Sequence, residues 1–148
     1  MPESIATLIP HQGKMCLLEK IVRWDDREIL LHTATHRSRE NPLRNACGRL
    51  RALHLCEYGA QAMAVHGALT ARASGTTARP GLLVSLRAVA LHCVWIETVD
   101  SLLEVTATRL LAGAGGWQYR FGISAAAQLL AEGRAAVIAR PQAAHRPA

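Results

Sequence analysis

The chain has 148 residues, the length of one domain that can bury a core without disulfides or a structural metal. Its formal net charge is +6, but the arginines are spread along the chain and no basic tract alternates with aromatic residues, which argues against a nucleic-acid-binding surface and favours an acidic or phosphorylated partner. No apolar run reaches the length of a membrane span, and no run has the order of a signal peptide, so we expect a cytoplasmic protein. The four cysteines form no CxxC pair, so we expect reduced thiols and no metal site.

Two short β-prone segments come first in the chain. Residues 17–24 and 28–35 are separated by Asp25-Asp26, a pair typical of a turn, which predicts a hairpin. A polar and basic segment, residues 36–48, leads into residues 49–69, where apolar and small residues occupy every face of a predicted helix. A helix that is apolar all round is a buried one, and Gly59 within it indicates a close approach by another backbone or by a substrate.

Strand character resumes after residue 80 and continues to the end of the chain. Alternating apolar and polar residues predict strands at 81–95, 103–111, 117–124 and 129–140, with a glycine-rich turn at 113–116. We therefore predict an α+β domain over residues 1–140, in which an antiparallel β-sheet of about six strands wraps around one long central helix, with a flexible tail at 141–148. Because one helix covers only part of such a sheet, we expect a dimer.

A single carboxylate, Glu57, lies at the centre of this predicted helix. Burying an ionised carboxylate without a partner is costly enough to raise its pKa by up to ~3–5 units. The residue is therefore predicted either to transfer protons or to belong to a polar network. Helical spacing places His54 and Gln61 on the same face, and a hydrogen bond to one of them is the purely structural alternative.

Two motifs carry a resemblance that covers essentially the whole chain. Residues 8–20, LIPHQGKMCLLEK, resemble an N-terminal motif in which an apolar residue, Pro and His precede an apolar triplet and an acid. Residues 57–62, EYGAQA, resemble a helix motif of an acid, small residues and Gln-Ala. Both motifs are similar to those of the hotdog-fold superfamily, in particular the 3-hydroxyacyl-acyl-carrier-protein dehydratases and their branch in aryl polyene gene clusters.

The resemblance implies a hydro-lyase that converts 3-hydroxyacyl thioesters into trans-2-enoyl thioesters in fatty acid or polyene biosynthesis. The substrate would be carried on the phosphopantetheine of an acyl carrier protein or on coenzyme A, so the enzyme would need no cofactor of its own. A base must remove the proton beside the thioester carbonyl, an acid must assist departure of the hydroxyl, and N–H donors must hold the thioester oxygen. The implied partners are acyl carrier protein and a second hotdog chain, in a homodimer or heterodimer, without nucleic acid or membrane.

The resemblance implies roles in the active site for two residues of the helix, but it does not identify the catalytic base. Glu57 matches the family's catalytic helix acid, and Gln61 matches a helix glutamine that would orient the acid or the loop. The family's catalytic loop reads His-Phe-Pro-Gly, but the corresponding position here is Leu43. His36, at the start of the same loop, is the nearest substitute, and we predict it as the base, with a surface histidine as the alternative. His11 matches an N-terminal histidine of the family, to which we assign a packing role.

The start of the helix is predicted to bind the thioester. The backbone N–H groups of Ala52 and Leu53 would hold the thioester oxygen, since a helix start presents unpaired donors. The family usually has Pro-Gly where this chain has Arg51-Ala52, which makes the approach less open. Arg51, together with Arg49, would bind the phosphate of the carrier arm, and a solvated basic loop is the alternative.

Two other functions stay open at this point. The missing loop histidine favours a hotdog subunit that has lost its own base and completes a heterodimeric dehydratase with a second chain. A hotdog acyl thioesterase is the third hypothesis, because that class uses a helix or loop carboxylate as base or nucleophile. Product identity separates the three, since a dehydratase forms an enoyl thioester and a thioesterase releases free thiol.

Overall fold

The computed structural model describes residues 4–77, 81–113 and 115–139, and the predicted tail at 141–148 lies outside these ranges. Two α-helices and six strands are present in chain order: α1 (Ile5–Leu8), β1 (Lys20–Trp24), β2 (Glu28–Thr33), α2 (Leu55–Ala73), β3 (Gly81–Leu91), β4 (Leu103–Gly113), β5 (Gly116–Ala125) and β6 (Gln128–Ala139). The strands form one antiparallel sheet in the order β1-β2-β4-β5-β6-β3. A six-stranded sheet around one long helix confirms the predicted hotdog fold.

The entry to the long helix differs from the prediction. α2 begins at Leu55, later than predicted, after a 3₁₀ turn at Ala52–His54. Arg51, just before that turn, has extended backbone and forms a β-bridge with Trp95. β3 ends at Leu91, so Trp95 is not part of the predicted strand but of the segment that lies beside the helix entry.

One face of the sheet packs against α2. Leu103, Val105 and Ala107 of β4 are buried, whereas the residues between them are exposed, as expected for a strand with one face on the core. At Gly59 the helix comes so close to the sheet that an added Cβ would lie 2.6 Å from the ring of Phe121. Gly59 therefore makes room for a side chain of β5, and the expectation of a second backbone or a substrate at this position is wrong.

The buried side chain of His66 connects α2 by hydrogen bonds to the first hairpin and to β5. His66 Nδ1 lies 2.7 Å from the hydroxyl of Tyr119, and its Nε2 lies 2.8 Å from the backbone oxygen of Asp25. Because a carbonyl oxygen only accepts, Nε2 carries the proton and the Tyr119 hydroxyl donates to Nδ1. The Arg109 guanidinium donates to the same hydroxyl oxygen. Burial lowers the pKa of His66, so this network holds the neutral ring.

Strand β3 forms one edge of the sheet and leaves an apolar surface uncovered. Leu86 and Leu91 lie opposite the buried Ala135 and Ala131 of β6, so they share the inner face of the sheet, yet both are exposed. The reason is that α2 packs mainly on β2, β4, β5 and β6. An apolar edge strand with unpaired backbone groups is suited to pair with another chain. Its exposed apolar residues are Leu82, Leu83, Val84, Leu86, Val89 and Leu91.

Neither α1 nor α2 is long and apolar enough to cross a membrane. Within the described ranges, no group of three or more His, Cys, Asp or Glu side chains is placed to hold a metal ion. The four cysteines are all free thiols.

Candidate active site

Glu57 lies in the first turn of α2 and contacts the N-terminal segment. Its Oε1 is 3.0 Å from Nε2 of His11, and the two side chains remain 34% and 29% exposed, respectively. Glu57 is therefore only partly buried, in contrast to the sequence-based expectation, and the pair is accessible to a ligand. His11 Nδ1 is buried and has no hydrogen-bond partner among the described residues, so Nε2 is the atom through which this ring can exchange protons.

Gln61, one turn further along the helix, connects this acid to the N-terminal segment. Its side-chain oxygen accepts a hydrogen bond from the N–H of Leu17 at 2.9 Å, and its amide nitrogen donates to the carbonyl of Met15 at 2.7 Å. The same nitrogen lies 3.3 Å from Oε1 of Glu57. Because Gln61 is fully buried, these bonds hold the segment that carries His11 against the start of the helix.

His36 lies apart from this pair. It is fully buried, and its Nε2 donates to the backbone oxygen of Val99 at 2.8 Å, while Nδ1 has no partner in the part of the chain that the structure describes. Burial lowers the pKa of His36, which favours the neutral ring. The alternative of a surface histidine is therefore wrong. Among the described residues, no hydrogen bond or ion pair joins His36 to Glu57, and it is His11 that contacts the helix acid.

The helix entry supplies one of the two predicted N–H donors. The N–H of Ala52 donates to the backbone oxygen of Val94 at 2.9 Å. Because this hydrogen bond already uses the N–H group, the predicted role of Ala52 in holding a thioester oxygen is wrong. Leu53 is 54% exposed, and its N–H has no acceptor among the residues that the structure describes. The candidate donor at this position is therefore Leu53 alone.

Arg49 and Arg51 are held differently. Arg49 Nε lies 2.6 Å from a carboxylate oxygen of Glu97, and its guanidinium stacks 4.1 Å above the ring of Trp95. Burial opposes ionisation of Glu97, but the hydrogen bonds from Arg49 and from the N–H of Leu50 outweigh it and lower the pKa of Glu97 to about 2. Arg51 is exposed and pairs with no carboxylate of the described residues. Of the two arginines, Arg51 is the one available to a phosphate.

The contact between His11 and Glu57 is not expected from the sequence. The sequence signal for it is the Pro-His pair within residues 8–20, to which the sequence assigns a packing role. The contact with Glu57 joins two segments far apart in the chain, so helical or strand spacing could not predict it. Gln61, by contrast, lies at helical spacing from Glu57, and the structure shows the predicted hydrogen bond between them.

Several solved structures share this fold. The dehydratase heterocomplex ApeI:P from Xenorhabdus doucetiae matches with a TM-score of 0.85 at 22% sequence identity, covering 96% of this chain and 94% of that one. AziG from S. sahachiroi matches with a TM-score of 0.63 at 18% identity, covering 91% and 99%. A hypothetical thioesterase with coenzyme A from Streptococcus pneumoniae matches with a TM-score of 0.61 at 11% identity, covering 83% and 86%. These likenesses establish the fold.

A sequence search among curated proteins gives no match. The model of the ApeP-like family, described as ApeP dehydratase, matches residues 3–146, which is nearly the whole chain. This match confirms the resemblance to the aryl polyene branch of the hotdog dehydratases. The chain belongs to the ApeP-like family of dehydratases.

Proposed function

We propose that this chain dehydrates 3-hydroxyacyl thioesters delivered by an acyl carrier protein and releases trans-2-enoyl thioesters. The observation that carries the proposal is the contact between His11 and Glu57, two proton-transfer groups that are partly exposed and lie 3.0 Å apart. Gln61 holds the segments that bear them together, which is the preorganisation that proton transfer requires. Membership of a dehydratase family supports the same reaction.

The reaction needs one proton removed and one supplied. The base takes a proton from C2, the C3–O bond breaks as the C2–C3 double bond forms, and the acid gives a proton to the departing hydroxyl, which leaves as water. We assign these roles to His11 and Glu57, one as the base and the other as the acid. After turnover the proton returns from base to acid, and the contact between Nε2 and Oε1 is short enough for direct transfer.

The helix entry is suited to bind the thioester and its carrier. The N–H of Leu53 has no acceptor among the described residues, which supports a role in holding the thioester oxygen as negative charge develops on it. The guanidinium of Arg51 lies 5.9 Å from the centre of the Trp95 ring and pairs with no carboxylate of the described residues, which supports a contact with the phosphate of the phosphopantetheine arm. On this proposal the carrier supplies the arm, and the enzyme requires no cofactor.

The exposed edge of β3 supports assembly with another hotdog chain. The solved ApeI:P structure is a dehydratase heterocomplex, and the fold of this chain matches it closely. We propose that a second hotdog chain pairs with β3 and covers its apolar inner face. A second candidate function follows from Leu43, which stands where the family has its loop histidine. In that case the partner supplies the base, and this chain contributes Glu57.

Dehydration is tested with purified 3-hydroxyacyl thioesters, on an acyl carrier protein and on coenzyme A, by following enoyl product and free thiol separately. The chain is assayed alone and with a hotdog protein encoded beside it. We expect His11→Ala and Glu57→Gln to lower the rate by roughly 10²–10⁴-fold, the usual contribution of general acid–base catalysis. His36→Ala should lower stability more than rate. Free thiol without enoyl product would identify a thioesterase, and activity that appears only in the mixture and survives His11→Ala would favour the second candidate.

A further inference from the structure

Three arginines form a line across the outer face of the sheet. Arg87 of β3 lies opposite Arg134 of β6, and Arg134 lies opposite Arg120 of β5. All three are exposed, and none forms an ion pair with a carboxylate of the described residues. Like charges directly opposite each other destabilise a pair of strands. The arginine row therefore places like charges directly opposite each other on three neighbouring strands.

A cavity of about 300 Å³ lies at the β3 end of the arginine row. Four of the residues that line it, Ser85, Arg87, Gln118 and Arg134, have side chains with hydrogen-bond donors. Every one of these groups can donate hydrogen bonds, and guanidinium binds carboxylate in a bidentate, charge-assisted geometry. The cavity is therefore suited to carboxylate side chains brought in from outside the chain.

The arginine row ends at the strand that has no neighbour. If two copies of this chain paired along β3 in antiparallel, fully overlapping register, Ser85 of one copy would face Arg87 of the other. The two Arg87 side chains would then be diagonal neighbours, roughly 7–8 Å apart on one face. The two arginine rows would join into one line of guanidiniums, which opposes self-association at low ionic strength.

We propose that the arginine row selects the partner of the β3 edge: a different hotdog chain that brings carboxylates to the cavity, in preference to a second copy of this chain. Two observations support this occupant. The apolar inner face of β3 favours pairing with another chain, and the positive charge of the row favours a chain that is acidic where it meets Arg87 and Arg134. The inference rests on the proposed assembly at β3, and it is independent of the dehydration chemistry.

A charge-reversed copy of the chain serves as the acidic partner in the test. The full-length wild type, the R87E/R134E variant and their equimolar mixture are compared by sedimentation velocity and native mass spectrometry, at about 20 mM and about 0.5 M salt. At low salt we expect the mixed dimer to form at least tenfold more tightly than either homodimer. High salt should remove this preference. The matched control is R27E/R39E, which makes the same change in net charge at exposed positions away from the β3 edge.

Three results would overturn the proposal. The first is a wild-type homodimer as tight as the mixed dimer at low salt. The second is an equally large gain in mixed-dimer affinity when the R27E/R39E control is mixed with wild type, because that gain would reflect net charge alone. The third is a mixed dimer that tolerates Leu86→Arg in both copies, since this change places charge on the apolar inner face of β3. Enoyl product is measured separately, so loss of charge-selected pairing and loss of dehydratase activity are distinguishable.

Discussion

Replacement of Gln61 by methionine tests whether one buried amide positions the active site. Methionine has nearly the same length and volume as glutamine but can form none of its hydrogen bonds with comparable strength. The variant leaves the N–H of Leu17 and the carbonyl of Met15 without their partners, at a helix position that is fully buried. The third bond, to Glu57, is longer and reaches a partly exposed carboxylate, which water can solvate.

The expected loss follows from those two orphaned backbone groups. A buried polar group that loses its partner costs about 1–3 kcal/mol. Because the bond to Leu17 is buried and the bond to Met15 is only partly buried, we expect Gln61→Met to destabilise the fold by about 2–4 kcal/mol. For a domain of this size, this corresponds to a melting temperature lower by roughly 5–15 °C. The segment that carries His11 should also loosen. Activity at a temperature well below the transition should therefore fall further than the unfolded fraction explains.

Thermal and urea unfolding measure the first effect, and the rate of enoyl formation measures the second. Gln128→Met is the matched control, because Gln128 is exposed on β6 and its replacement should change stability by less than about 0.5 kcal/mol. The reasoning is refuted if Gln61→Met unfolds within 0.5 kcal/mol of the control, on the order of the spread among neutral surface substitutions. Loss of stability with an unchanged rate would refute only the positioning role.

Three further predictions concern packing and ionisation. Gly59→Ala should lower the free energy of unfolding by about 1–2 kcal/mol, since overpacking outweighs the gain in helix propensity, whereas Gly67→Ala, where an added Cβ meets open space, should raise it by ~0.5–1 kcal/mol. Stability should fall as the pH drops below 6.5, because burial lowers the folded-state pKa of both His36 and His66 and protonating them opposes folding. Glu97→Gln should lower the free energy of unfolding by about 1–2 kcal/mol at neutral pH. Because the pKa of Glu97 in the folded protein is about 2, the difference in stability between the variant and wild type should disappear only as the pH falls from 4.5 toward 2.

Urea unfolding checks all three predictions. Equal effects of the two glycine substitutions would contradict the packing argument. A urea midpoint that stays constant between about pH 7.5 and about pH 5.5 would contradict the assignment of neutral buried histidines. If the difference between Glu97→Gln and wild type were already lost at about pH 5, the carboxylate would not be held in its ionised form by Arg49.

Local patterns predicted most of the fold because they report local physics. The alternation along residues 103–111 follows from one face of β4 packing on the core, and the apolar run at 49–69 follows from a helix enclosed by the sheet. The boundaries were less predictable. The chain around Arg51 has residues compatible with a helix, but pairing with Trp95 holds it extended, and that contact depends on a distant segment.

By itself, the sequence determined that one long helix and several antiparallel strands form, and it placed Gln61 on the same helix face as Glu57, because strand alternation and helical spacing depend on residues close together in the chain. The resemblance of residues 8–20 and 57–62 to family motifs indicated the hotdog fold. Only the tertiary structure decided which histidine meets that acid. His11 reaches Glu57 because buried bonds from Gln61 hold the N-terminal segment on the helix, whereas His36 is buried against Val99. The β3 edge was likewise a tertiary outcome, since a strand's place in the sheet is set by pairing between distant segments rather than by its own residues.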